Sequence, residues 1–245
     1  MQNYVVLKFG GSVLHSQEDF EPISREINRF IEKGQKVVAV VSAYYGVTEQ
    51  LIRKADEAFG DKQSSDYAKT VAEGEFQSAT DLVGFLNNTG LQASLKDPAS
   101  IAFVARGLRD SGKPISISRQ LIEQALKSVS VIVVPGFSAI DEQEECILLG
   151  RGGSDISAVS IAQALGLTHV RLLKDVDGLY DRDPNIHSNA QRLAHVDYAT
   201  AAELAGDLIQ SEAINFAANR NVRIDIACMG AEDYSRIGPP AEKHK

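Results

Sequence analysis

The sequence predicts an α/β protein, a sandwich built around one mostly parallel sheet. Three observations point there. Short apolar runs rich in β-branched residues alternate with segments of helical spacing from end to end. The first forty residues spell strand, Gly-rich turn, helix, strand, which is a βαβ unit with a right-handed crossover. Neither an internal repeat nor a linker divides the 245 residues cleanly.

Tyr4 to Phe9 reads as a buried strand and ends in Lys8-Phe9-Gly10-Gly11-Ser12. Phe20, Ile23, Ile27, Phe30 and Ile31 follow helical spacing, with Gly34 placed to end that helix. Val37 to Val41 is a second buried strand. A helix starts at Gly46-Val47-Thr48 and runs to about Phe59. A polar loop covers Asp61 to Asp66, and a long helix covers Tyr67 to Asn87 with Glu73-Gly74-Glu75 inside it. A mid-helix glycine costs about 1 kcal/mol relative to alanine. Gly74 therefore suggests a close approach that lets Glu75 aim into a cleft; the plain alternative is a solvated carboxylate.

Leu91 to Leu95 and Ile115 to Ile117 read as short strands, with Ala102 to Arg109 partly helical between them. Arg119 to Leu126 is a helix, and Val129 to Val134 a strand that ends at Pro135-Gly136-Phe137. Asp141 to Glu145 is an acidic hairpin tip or loop. Cys146 to Leu149 leads into Gly150-Arg151-Gly152-Gly153-Ser154-Asp155, followed by helical spacing from Ile156 to Leu165. Val170 to Leu173 is a strand that ends in Lys174-Asp175-Val176-Asp177-Gly178-Leu179-Tyr180, then Asp183-Pro184. Helices over Tyr198 to Leu208 and Ser211 to Arg220, a strand over Val222 to Ala227 and a frayed polar tail after Gly230 complete the reading.

Composition bounds the function. Hydrophobic residues make up 44% and charged residues 24%, as in a soluble globular protein with a sizeable core. The formal net charge is −8 and Lys and Arg do not cluster, which argues against a nucleic-acid groove. No run approaches a membrane span, and two distant cysteines fit a reduced, cytoplasmic setting. The five histidines are scattered, so no metal site is expected from protein ligands.

The Gly-rich turns carry the chemistry. Consecutive glycines after a strand let backbone N–H groups approach an anion. Lys8 and Gly10-Gly11 match neither the Walker pattern nor G-x-G-x-x-G. In Gly150 to Asp155, three glycines, an arginine fork suited to a carboxylate, a serine and an aspartate precede a helix. In the Asp175 loop, Tyr180 can stack on a base and a carboxylate can receive ribose hydroxyls.

Four stretches resemble the aspartate kinases of the amino-acid kinase superfamily, and a fifth, the last named here, is shared more widely among amino-acid kinases. They are Lys8-Phe9-Gly10-Gly11-Ser12, Val41-Ser42-Ala43 with Gly46-Val47-Thr48, Pro135-Gly136-Phe137, Leu149 to Asp155, and Asp175 to Tyr180 with Asp183-Pro184. The resemblance runs from about residue 4 to 228, and Gly-Arg-Gly-Gly-Ser-Asp is its most specific part. It implies a three-layer α/β/α domain over residues 1–238, with a polar tail at 239–245. The acceptor half would span about 1–150 and the nucleotide half about 151–230. It implies transfer of the γ-phosphoryl of ATP, with Mg²⁺, onto the side-chain carboxylate of aspartate or a close analogue.

By position, the resemblance gives Lys8 the transferred phosphoryl group and Asp155 the orientation of Lys8. Gly10, Gly11, Ser12, Gly152 and Gly153 would line the phosphates. Arg151 would grip a carboxylate of the amino acid and Glu75 its α-ammonium, with Thr48 and Ser154 as polar contacts. Lys174, Asp175, Tyr180 and Asp183 would hold the nucleotide. The implied partners are the two small substrates, with no nucleic acid or membrane, and a homodimer is a family expectation. The ligand-binding regulatory domains of larger aspartate kinases are not expected, nor feedback inhibition by lysine or threonine.

The chain departs from the pattern in places. Ser12 is followed at once by Val13, Lys174 stands where threonine is common, and Asn185 where arginine is common. Family members carry a second phosphate lysine on a Gly-Ala-Lys turn; here the stretch is Gly206 to Ser211, and no lysine lies between Lys174 and Lys243. Either Lys174 or an arginine supplies that charge, or turnover is slow or absent. Two other readings stand beside an aspartate kinase: a superfamily kinase with a different small acid or phosphate acceptor, and a non-catalytic nucleotide or amino-acid sensor.

Overall fold

The structure is a computed structural model and describes residues 4–182, 184 and 186–239. Within it, eight strands form one sheet in the order β10-β12-β11-β9-β1-β2-β6-β3. Its centre is β1 (Tyr4–Phe9), flanked by β2 (Lys36–Val41) and β9 (His169–Leu173), both parallel to it. Beyond β2 lie β6 (Val131–Pro135) and β3 (Ala93–Leu95); beyond β9 lie β11 (Arg223–Ala227), β12 (Ser235–Ile237) and β10 (His195–Val196). Only the β11–β12 pair is antiparallel.

Side chains alternate across a strand, and the central strands are apolar on both faces, as parallel strands covered by helices must be. Val5, Leu7 and Phe9 face one layer, where they meet Phe20, Ile23 and Ile27 of α1 (Phe20–Ile31) and Ala79, Leu82 and Leu86 of α3 (Ser65–Asn88). Val6, Val38 and Ile132 face the other layer. There they meet Ile122 and Leu126 of α4 (Arg119–Ser128), Ile156, Val159 and Ile161 of α5 (Gly153–Ala164), and Ala213 and Ile214 of α7 (Ser211–Asn219). The architecture is therefore the expected three-layer α/β/α sandwich. Lys8 shares its parity with Val6, so it points toward α5.

A second, four-stranded sheet packs beside α3. Its order is β5-β4-β7-β8, with β4 (Val104–Arg106), β5 (Lys113–Ser116), β7 (Ser138–Ile140) and β8 (Cys146–Leu148). This corrects the helical expectation for residues 102–109. Ala102 takes a left-handed backbone (φ 48°) after a single 3₁₀ turn at Ala99–Ile101, and Val104 to Arg106 pair with β5 instead. The acidic run Asp141 to Glu145 is the β7–β8 hairpin tip, where Asp141 accepts amide bonds from Gln143 and Glu145.

Two more expectations change. The helix from Tyr198 ends at Leu204 as α6 (Tyr198–Leu204), because Gly206 turns left-handed (φ 52°) and carries Ile209 back into the core. The described stretch from residue 230 to 239 is docked rather than frayed, and the rest of the polar tail, 240–245, lies outside the described residues. Glu26 accepts the Gly230 amide, Arg171 and Arg29 donate to the Ala231 carbonyl, and Arg236 makes two 2.7 Å bonds to Asp225. These anchors are polar and distant in sequence, so hydrophobic periodicity carries no sign of them.

Candidate active site

The chain leaves β1 toward β2 on one side, whereas β9 continues toward β11 on the other. In open α/β sheets, ligands bind outside the carboxyl ends of the strands at such a switch point. Four of the sequence motifs converge there, joined by Lys174 at the start of the fifth. Ser42 donates its amide to Phe9, Gly136 donates its amide to Val41, and Lys174 directly follows β9.

Lys8 and Asp155 form the centre, with Nζ 2.7 Å from Oδ1 and both side chains buried. Asp155 lies in the first turn of α5, which begins at Gly153, three residues earlier than the spacing suggested. A carboxylate there gains from the positive end of the helix. Lys174 approaches the other oxygen, with Nζ 3.8 Å from Oδ2, and is itself 9% exposed. Burial opposes the Asp155 charge, but Lys174 and Lys8 together hold its carboxyl below the usual range. Burial pushes the Lys174 ammonium down to about 8, against the pull of Asp155 and with the push of Lys8. Two lysines on one carboxylate leave this buried cluster with a net positive charge, which suits an anion.

Gly10 is bare for a reason. A Cβ there would sit 2.9 Å from the Lys8 ammonium and 3.9 Å from that of Lys174. Gly11 opens a 3₁₀ turn whose first internal bond runs from Val13 to Gly10, so the Gly11 and Ser12 amides precede it. The Ser12 hydroxyl is buried without a partner among the described residues. Gly152 is left-handed (φ 69°) and packs against Gln210 and Ala213. The Gly153 amide already bonds the Gly150 carbonyl, and a Cβ there would strike Phe137 at 2.6 Å, so packing accounts for that glycine. Ser154 is buried against Gly136, where a Cβ would meet its side chain at 2.7 Å.

Glu75 sits inside the fold, 2% exposed. Gly74 makes this approach possible: a Cβ there would lie 2.7 Å from Ala43 and 3.1 Å from Leu51. One carboxylate oxygen accepts the Thr48 hydroxyl at 3.3 Å; the other is buried without a partner among the described residues. Burial raises the carboxyl to about 7, against bonds from the Ala43 amide and Thr48 and the field of Lys8. A buried carboxylate oxygen left without a partner is costly, and a cationic group placed there would offset that cost.

Arg151 is exposed at the turn before α5, with no hydrogen bond or ion pair among the described residues. In the last loop, Asp175 is exposed, and the Tyr180 hydroxyl donates to Asp177 at 2.8 Å. Arg192 braces Asp177 from the far strand of that loop at 3.6 Å. Asp183 lies outside the described residues. Sequence reasoning missed Ser138, a buried hydroxyl two residues beyond Gly136 without a partner among the described residues; its position beside the Pro-Gly-Phe motif was the available signal.

The model of the amino acid kinase family matches residues 3–228. The chain belongs to this family. It is 33% identical over 227 residues to the aspartate kinase of Pseudomonas fluorescens strain SBW25, covering 91% of this chain and 55% of that protein. The chain thus spans about half the length of the curated relatives it matches. E. coli aspartokinase III, solved in complex with aspartate and ADP, superposes with a TM-score of 0.82 at 20% identity, over 98% of this chain and 65% of that one. The UMP kinase of Bacillus anthracis superposes at 0.69 with 15% identity, over 98% and 97%. The fold is therefore shared by kinases whose names give different acceptors. No helix among the described residues is long and apolar enough to cross a membrane.

Proposed function

We propose that the chain phosphorylates the side-chain carboxylate of L-aspartate, or of a close analogue, at the expense of MgATP. The observation that carries this reading is Glu75, a buried carboxylate with one unpartnered oxygen within the electrostatic reach of Lys8. A phosphate acceptor would be repelled by it. An amino acid's ammonium would be held by it, which agrees with the aspartate kinase names of relatives near 30% identity.

The chemistry asks little more of the protein. A carboxylate is already a nucleophile, so no general base is needed, and catalysis reduces to alignment and charge stabilisation. The amino acid would lie in the half formed by about residues 1–150, between Glu75 and Thr48, with Arg151 at the boundary of the two halves. The nucleotide would lie in the half formed by about 151–230, against the Asp175 loop. Lys8, kept in place by Asp155, would meet the phosphoryl group between them. Mg²⁺ arrives with ATP as part of that substrate.

A hydroxamate assay with MgATP and a panel of acidic amino acids tests the reading. Acyl phosphate formed from aspartate or a close relative is expected. Nucleotide binding with no acyl phosphate from any of them would replace it with a sensor. Arg151→Ala is expected to raise the amino-acid KM by about ten-fold or more, since a bond between charged groups contributes roughly 1.5–3 kcal/mol; an unchanged KM removes Arg151 from the site. The pH dependence follows from Glu75. Its free carboxyl titrates at about 7 and must be ionised to pair with an ammonium. Amino-acid affinity should therefore fall as pH drops below 7, by up to about ten-fold per pH unit. A KM flat between pH 8 and pH 5.5 contradicts this pairing.

A further inference from the structure

The cluster around Asp155 holds one more cation than its orientation role for Lys8 requires. Lys8 lies on β1 and Lys174 directly follows its parallel neighbour β9, and their ammonium groups lie 2.9 and 3.9 Å from the same point above Gly10. That point is open because residue 10 has no side chain. The turn into α7, which packs on Gly152, offers Gln210, Ser211 and Glu212 and no cation. The arginines are committed elsewhere or exposed. Arg171 stacks on Phe30 and Tyr234 in the opposite layer, Arg192 braces Asp177 and Asp233, and Arg151 lies in solvent.

We infer that Lys174 is a catalytic residue, the second cation that meets the phosphoryl group in flight, supplied from the end of β9. The inference rests on the kinase reading but not on the identity of the acceptor. In the step, the bond between the γ-phosphorus and the oxygen bridging to the β-phosphate breaks, and a bond from an acceptor oxygen to that phosphorus forms. ADP leaves with the electron pair. Lys8 and Lys174 flank the group from two sides while Asp155 keeps their ammonium groups apart.

The charged groups facing Lys174 are Asp155 from α5, Lys8 from β1 and Asp175 beside it in the chain. Unliganded, Lys174 loses its proton near pH 8. A polyanion arriving at Gly10 restores it, so the advantage of a third phosphate should weaken as pH rises past 8. An arginine at 174 stays charged throughout that range.

The test is calorimetric binding of MgATP and MgADP, without acceptor, to the wild-type chain, Lys174→Met and Lys174→Arg at pH 7.5 and 9. Lys174→Met is expected to lose about ten-fold or more of the preference for MgATP over MgADP, with thermal stability unchanged or higher, since a buried cation has been replaced by an apolar chain of similar length. Lys174→Arg is expected to keep the preference at both pH values, whereas the wild type loses part of it at pH 9. Preference kept by Lys174→Met, or the same pH response in Lys174→Arg as in the wild type, overturns the assignment. Should Lys174→Met fail to fold, the arginine variant decides by itself. A wild type that prefers MgATP yet phosphorylates no amino acid would defeat the proposed function and leave this assignment standing.

Discussion

Lys8→Ala is expected to lower turnover by about 10²–10³-fold while changing MgATP affinity far less, the scale seen when one preorganised charge partner of a transition state is removed. The fold should tolerate the change. Asp155 keeps Lys174 within 3.8 Å, so no buried carboxylate is left unpaired. What is lost is the positive excess of the cluster, which falls from one net charge to none. Ground-state binding of the nucleotide draws on other contacts, but the charge that develops during transfer is met chiefly at Gly10, where the Lys8 ammonium lies nearest. Steady-state kinetics that separate kcat from KM for ATP make the check, with thermal denaturation as the control for folding. Turnover equal to wild type would remove Lys8 from the phosphoryl group.

Glu75→Gln is expected to act in opposite directions on binding and stability. The acceptor's ammonium loses its charged partner, and its KM should rise by about ten- to a hundred-fold. The unliganded protein should become more stable at pH 8. The sign follows from linkage. The Glu75 carboxyl is raised from 4.5 to about 7 on folding, so the folded state favours the protonated form. The stability this lends is fully present below pH 4.5 and lost as pH rises through 7. At pH 8 the ionised group opposes folding by up to about 3 kcal/mol, taking 1.36 kcal/mol per unit. Glutamine can still accept from Thr48 and the Ala43 amide without carrying the charge. Melting temperatures of the two proteins should therefore differ most at pH 8 and converge near pH 5. A variant less stable than wild type at pH 8, with an unaltered acceptor KM, would return Glu75 to a purely structural role.

Much of this site was legible from sequence because its parts sit where chain chemistry announces them. Gly10-Gly11 after an apolar run, and Gly150 to Asp155 before a helical one, are local patterns with local causes. Gly74 inside a long helix signalled a close approach, and the structure shows what comes close: Ala43 and Leu51. The second sheet was hard to read because its strands are three or four residues long, too short for periodicity to separate from turns. The C-terminal strand escaped because ion pairs such as Arg236–Asp225 hold it, and these have no spacing rule in sequence.

The sequence by itself determined the alternation of strands and helices, the positions of the glycine turns at strand ends and, through period-two parity, which side of β1 carries Lys8. Only the tertiary structure decided who meets Asp155. A parallel strand looks the same in sequence whatever its neighbour, because its apolar run records burial on both faces and says nothing about the strand beside it. That β9 lies against β1, and not beyond β11, is settled by long-range packing. It is this placement that brings Lys174, distant in the chain, onto the carboxylate that holds Lys8.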